Sequence, residues 1–303
     1  MLSHSLTHTF ETVTEDSLSE RLAATEDLML RTLFRPDAPD LNALVSYHFS
    51  SGGSRVRARL ALSASEALGL DPRTCVALAA SCELVHNASL LHDDIQDADK
   101  MRRGHEAAWF RFDPNLAMCA GTLMLSAASA VLARATVDTV DTVDTASLID
   151  HLYQRTHDLI VGQTLDLAWQ HHNFDVAAYQ KTAIGKSGSL LALPYELVLI
   201  AAGQPRALPV AKAAGESFAL AYQIADDLDD LSADSAKAHC NIVPALMRTG
   251  LDQEAAISTA LQMARAHRLE AVTQAQKLPS QSGQYMVHLC HTLASNEGKF
   301  ALE

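Results

Sequence analysis

A chain of 303 residues is long enough for one large or two ordinary domains with a real core. Its composition is 48% hydrophobic but only 5% aromatic, which suits an all-helical protein better than a β-sandwich. The formal net charge of −13 argues against nucleic acid as a partner, and five cysteines without a CxxC pair indicate neither a disulfide framework nor a zinc site.

The start of the chain, "MLSHSLTHTFETVTEDSL", is polar and lacks the basic beginning and apolar centre of a signal peptide, so a reduced, cytoplasmic protein is expected, with residues 1–20 a loose segment. "FRPDAPD" (34–40) reads as a loop. Apolar residues then recur at spacings of three and four in "SRVRARLALSASEALGL" (54–70), "RTCVALAASCELVHNASLLHD" (73–93) and "LAMCAGTLMLSAASAVLARA" (116–135). That period predicts helices. A Val-Asp-Thr triplet repeats over 136–145 and predicts a solvated interhelical loop. The most apolar later run, "LLALPYELVLIAAG", contains Glu196 and Pro194, and no run reaches membrane-spanning length, so no transmembrane segment is expected. After "GQPRALP" (203–209), a further helix is predicted over "AKAAGESFALAYQIADDLDDL" (211–231). No strand alternation and no shift in composition appear, which predicts one helical domain over 1–303.

Two of these helices end in acid. "HDDIQD" places Asp93 and Asp97 one turn apart, with Asp94 reaching Asp97 at i, i+3. Like charges at that spacing destabilise a helix, so a positive occupant is expected. "YQIADDLDDL" repeats the spacing with Asp226, Asp227 and Asp230. If the two helices face each other, six carboxylates line one cavity. Oxygen-only ligands suit Mg²⁺, which is commonly shared with substrate phosphates. The apolar helices beneath would then wall a hydrocarbon attached to a diphosphate.

In these motifs the sequence resembles the trans-prenyl diphosphate synthases, over about residues 50–247. "ELVHNASLLHDDIQDADKMRRG" is similar to the family's first aspartate-rich motif and "YQIADDLDDL" to its second. "VGQTLDL" (161–167) resembles the Gly-Gln-x-x-Asp segment between them, and "YQKTAIGKSGSLLALPYEL" the Lys-Thr helix. The resemblance implies an all-α bundle of roughly ten or more helices around a central cavity, a homodimer, and isopentenyl diphosphate plus an allylic prenyl diphosphate as substrates. It implies Mg²⁺, three ions with substrate bound, on Asp93, Asp94 and Asp97 from one side and Asp226, Asp227 and Asp230 from the other. Arg102 and Lys181 would contact the allylic phosphates, and Arg55, His86 and Arg103 the isopentenyl diphosphate. Thr182 and Gln223 would turn oxygen dipoles toward developing positive charge. Gln163 and Asp166 are either site residues or a buried hydrogen-bonded pair; Lys186 is read as a surface residue.

Departures from the family's pattern matter. Its Gly-Gly-Lys-Arg-x-Arg-Pro stretch is "GGSRVRA" here, with Ser54 in place of the lysine; Thr122 follows Gly121 where the family often has Asp; and beyond the second motif Lys237 is the one substitute for its usual Gly-Lys pairs. These losses keep two alternatives open, a class I terpene synthase-like cyclase and a non-catalytic partner subunit. Upstream of Asp93 stand Ser89, Ala88, Val85, Cys82 and Ser81, none aromatic. Bulky residues four or five places before the motif resemble a floor that stops growth at C15, so a longer product is expected, C20 above others.

Overall fold

The computed structural model describes residues 15–135, 144–169, 172–229 and 240–296. The 136–143 part of the triplet repeat, Asp230 and Lys237 lie outside the described residues.

Helix α1 (Glu15–Leu33) begins inside the segment expected to be loose, and α2 (Pro39–Ser50) and α3 (Val56–Ala67) follow. Helix α4 (Pro72–Gln96) forms the centre of the bundle. Asp71 caps its start by accepting from the N–H groups of Arg73 (3.0 Å) and Thr74 (3.1 Å), with Pro72 in the first turn, where a missing N–H costs nothing. At 25 residues it is about 37 Å long, and nearly every side is buried against α1, α3 and the helices α6 (Pro114–Ala135) and α9 (Ser189–Ala201). It stops at Asp97, whose N–H returns to Asp93 O, and the next residue, Ala98, takes a positive φ of 54°. The first acidic motif is therefore the C-terminal turn of a buried helix.

Two strands that sequence periodicity did not reveal come next, β1 (Met101–Arg102) and β2 (His105–Glu106). Two residues each are too few to show alternation. Arg103 (φ 51°) and Gly104 (φ 77°) form their turn, both left-handed, as a tight two-residue hairpin requires. Short α5 (Ala108–Arg111) leads into α6, and α7 (Thr145–Trp169) crosses α9.

Helix α8 (Val176–Ala183) runs into α9 through a π turn, Ile184–Gly188. Glycine is required on both sides of that turn. A Cβ on Gly185 would lie 2.8 Å from Gly162 Cα in α7, and a Cβ on Gly162 would collide with the backbone of Gly185 and Lys186. Helix α10 (Leu208–Asp229) packs most extensively on α12 (Gln253–Ala275), with α11 (Ile242–Met247) between the second acidic motif and α12, and α13 (Gln284–Asn296) closing the bundle. A second, smaller core under that motif contains Phe174, Tyr179, Ile224, Ile242 and Leu246.

By length and composition, Pro72–Gln96, Pro114–Arg134 and Val176–Ala201 are each apolar enough to cross a membrane, contrary to the expectation from sequence. The first and third bury 89% and 72% of their most apolar window inside the bundle, the second only 44%. Apolarity in the first and third is thus largely spent on core packing.

Glu196, fully buried within α9, explains one polar interruption. Arg155 of α7 grips it bidentately (Nε to Oε2 2.7 Å, Nη2 to Oε1 2.8 Å), and His151 Nε2 stands 2.9 Å from Oε2. Removing one member strands a buried charge. Arg155→Met is expected to lower unfolding free energy by about 3–5 kcal/mol in denaturant titration, and Arg155→Met with Glu196→Leu to recover most of it.

Candidate active site

The C-terminal ends of α4 and α10 open onto two adjoining cavities. The smaller, about 200 Å³, is lined by Asp97, Asp166, Tyr179, Thr182, Ala183, Lys186, Gln223, Asp226, Asp227 and Cys240. The larger, about 490 Å³, has Asp93, Gln96 and Gln163 in its lining, and Leu125, Leu159, Ile160, Leu190 and Leu191 among its apolar residues. Lys186, Gln223 and Asp226 line both, so acidic residues from α4, α7 and α10 border one hollow made of these two adjoining cavities.

The individual aspartates differ sharply in what they face. Asp93 accepts from Gln163 Nε2 (2.8 Å) and pairs with Lys186 Nζ (2.9 Å). Asp94 is only 2% exposed and is held by Arg102, through Nε at 2.9 Å and through Nη2. Burial pushes its carboxyl up to about 6 despite the Arg102 guanidinium, with Asp93 and Asp99 adding to the rise. Asp227 is 3% exposed and accepts from Ile242 N–H (2.9 Å) and Gln223 Nε2 (3.0 Å), which ties α10 to α11. Asp93, Asp97, Asp226 and Asp227 are the cavity-lining carboxylates of the two motifs, and of these Asp227 alone is also fixed to the α11 N-terminus.

Several sequence expectations change here. Lys186, read as a surface residue, is placed between two carboxylates, Asp93 and Asp166 (2.8 Å). Burial alone would lower its pKa, but the two carboxylates outweigh it and hold the ammonium above its usual value. Lys181 instead is exposed and lines neither cavity. Its neighbour Thr182 does line the smaller one, where its hydroxyl donates to Ala178 O (3.0 Å) and accepts from Trp169 Nε1 (3.0 Å). The lysine reaching the hollow comes five residues later, followed by Ser187, which lines the larger cavity. The π turn creates this offset, and the chain's own repeat of Lys-Thr and Lys-Ser was the available signal. Gln163 and Asp166 do not pair with each other but with Asp93 and Lys186.

On the hairpin side, the larger cavity is lined by Arg57 and His86. Arg55 turns away, donating from Nε to Glu26 (2.8 Å) and from Nη1 to Gly52 O (2.7 Å). Arg103 Nη1 donates to the same carbonyl. Burial holds His86 well below its usual pKa, helped by Arg57, Arg103 and Arg102. Arg57 is the cation of this pair in the lining, whereas the α4 and α10 ends contribute carboxylates.

Residues 38–243, more than half of the chain, match the family model for polyprenyl synthetases. A farnesyl diphosphate synthase of Mycobacterium bovis is 36% identical over 204 residues, covering 63% of this chain and 55% of that relative, so the match spans little more than half of the relative's length. The farnesyl diphosphate synthase of Escherichia coli is 30% identical over 214 residues, 69% of each chain. In backbone, the geranylgeranyl pyrophosphate synthetase of Pyrococcus horikoshii superposes with a TM-score of 0.81 at 21% identity, over 94% of this chain and 98% of that one. At that identity the superposition speaks for the fold, the all-α bundle expected from the motifs, and together with the family match over residues 38–243 it establishes that this chain belongs to the polyprenyl synthetase family.

Proposed function

We propose that the protein is a magnesium-dependent trans-prenyltransferase that joins isopentenyl diphosphate to an allylic prenyl diphosphate. The observation that carries this reading is the shared hollow. Carboxylates from both acidic motifs line it, with Arg57 and leucines in the lining of its larger part. Arg57 in the larger cavity, in addition to Lys186 beside the aspartates, favours a second diphosphate, and with it prenyl transfer over a cyclase acting on one diphosphate alone.

The donor set fits magnesium. The acidic ends offer carboxylate oxygens, and among the described residues no three metal-capable side chains stand close enough to form a cage by themselves. Magnesium takes such incomplete sites when substrate phosphates and water complete its shell. Asp93, Asp97 and Asp226 would hold it. Asp94 and Asp227 would act by fixing Arg102 and the α10–α11 junction, and Asp230 would extend the second group. When bound, the ion supplies charge neutralisation to a departing diphosphate.

The protein's own residues do the rest. Lys186, Arg102 and Gln163 orient the allylic diphosphate; Arg57, His86 and Arg103 hold the isopentenyl diphosphate. The allylic C–O bond breaks with its electron pair leaving on the diphosphate. The alkene π pair of isopentenyl diphosphate closes the new C–C bond, and a proton leaves the adjacent carbon to the released diphosphate. Gln223 offers its amide oxygen where positive charge develops, an effect strengthened by exclusion of water. A half-buried, apolar α6 supports a homodimer through that helix, and five free cysteines suit a reducing, cytoplasmic setting.

We assign a product longer than C15, C20 foremost. Ser89 lines the shaft, and Tyr222 is the one Phe, Tyr or Trp among the described lining residues. Incubation with Mg²⁺, isopentenyl diphosphate and each of the C5, C10 and C15 allylic diphosphates should yield elongated diphosphates by mass analysis. A hydrocarbon formed without isopentenyl diphosphate would overturn the assignment. Ser89→Phe is expected to shorten the product; an unchanged distribution would remove Ser89 from the shaft wall. Ala88 is fully buried in the core, so Ala88→Phe should instead destabilise by about 1–3 kcal/mol.

A further inference from the structure

Outside the hollow, one buried polar cluster has no part in the reaction described so far. Glu196 of α9 is fully buried, and both of its carboxylate oxygens are engaged from α7. Arg155 donates as a fork, Nε to Oε2 (2.7 Å) and Nη2 to Oε1 (2.8 Å), while its Nη1 donates to Asp158 Oδ2 (2.9 Å). A carboxylate only accepts, so His151 donates from Nε2, which stands 2.9 Å from Oε2. The planar fork fixes the relative rotation of the two helices as well as their distance. Apolar side chains of matched volume would fill the same space without that direction.

The cluster lies in line with the lysine of the hollow. Arg155 and Gly162 are separated by close to two full turns of α7, so they share a face about 10 Å apart. Gly162 meets the π turn, where its Cβ would lie 2.3 Å from Lys186 N. Asp158 belongs to both ends, because its side chain holds Arg155 and its carbonyl oxygen would lie 3.3 Å from a Cβ on Gly185. Residues early in α7 thus meet Glu196 and later ones meet Gly185, so the two segments run antiparallel. The glycine contact sets how near they come, but two glycines offer no side chain to resist sliding. Beyond it, Lys186 Nζ reaches Asp166 on α7 (2.8 Å) and Asp93 on α4 (2.9 Å). A slip of one residue along α7, about 1.5 Å, would break at least one of those bonds.

Resting on the role given to Lys186 above, we propose that the Arg155–Glu196 fork, backed by His151, is a positioning device for that lysine. It fixes the register of α7 against the π turn and so places the ammonium between Asp93 and Asp166. Arg155, His151 and Glu196 line neither cavity, so they act on the reaction only through what they hold in place. A cluster that served stability alone would be replaceable by matched apolar residues; one that sets a register is not.

The test is a mutant cycle on steady-state turnover, read beside denaturant unfolding. Arg155→Met with Glu196→Leu is expected to unfold close to wild type and to lose about tenfold or more in turnover. In a Lys186→Met background the same pair should lose less than about twofold, because the lysine through which it acts is gone. Wild-type turnover in the folded paired variant overturns the proposal, and so does an equal loss in both backgrounds. Lys186→Met at wild-type turnover would instead remove the lysine's own role, and this proposal with it. Should the paired variant fail to fold, Arg155→Lys decides, since it keeps a cation beside Glu196 but replaces the fork by a single point of contact. It should lose about threefold or more with Lys186 present and less than about twofold in its absence. Turnover of Arg155→Lys unchanged from wild type overturns the proposal.

Discussion

Replacing Asp93 with asparagine is expected to lower turnover by at least about 10³ while leaving the fold intact. Asp93 meets three partners in the hollow, Gln163 at 2.8 Å, Lys186 at 2.9 Å and Arg102 at 4.0 Å. Asparagine preserves the shape and one carbonyl oxygen, but it removes the negative charge that gathers cations at the departing diphosphate. It also leaves Lys186 with Asp166 alone, so both the ion site and the lysine lose their anchor. The side chain is partly exposed and lies outside the core, so unfolding should stay close to wild type. Single-turnover rates with an allylic diphosphate, measured beside thermal unfolding, check both halves. A folded variant within tenfold of wild type would remove Asp93 from the reaction centre.

The second large effect separates two lysines. Lys186→Met is expected to cost about 10²–10³ in turnover, whereas Lys181→Met should stay within about twofold. Five residues span about 140° around an α-helix beyond one full turn, so lysines at these positions cannot serve the same cavity. The chain brings Lys186 inward by inserting the π turn Ile184–Gly188, and holds that turn against α7 through the Gly162–Gly185 approach. The measurement is steady-state turnover of both variants at saturating substrates, and the reverse ranking would restore the reading made from the Lys-Thr pair. Raising magnesium should rescue little of the Lys186→Met loss, because a phosphate-contacting ammonium is not replaced by more metal ions held elsewhere.

Arg55 and Arg57 differ in the same way. Two residues apart at the start of α3, they point to roughly opposite sides. Arg55, itself buried, pairs with Glu26, and Arg57 is left to line the larger cavity beside His86. Spacing in a motif shows that a basic pair is present; it does not show which member turns inward, because Arg55 takes a left-handed φ of 51° at the helix cap. Asp226 and Asp227 differ for a related reason. Adjacent on α10, they diverge by about 100°: Asp227 binds the α11 N-terminus and lines only the smaller cavity, while Asp226 lines both.

By itself the sequence determined the helical class, the location of two acidic segments at the ends of apolar helices, and the motif order that marks the family. These properties follow from periodicity and composition, which survive without knowledge of neighbours. Only the tertiary structure decided which lysine and which arginine face the hollow, that Asp94 and Asp227 are held by Arg102 and by α11, and that Glu196 is a buried partner of Arg155. Each of those depends on a rotation of at most a few residues about a helix axis, set by a π turn, a left-handed cap or a glycine contact, and a rotation of that size leaves almost no trace in the order of amino acids.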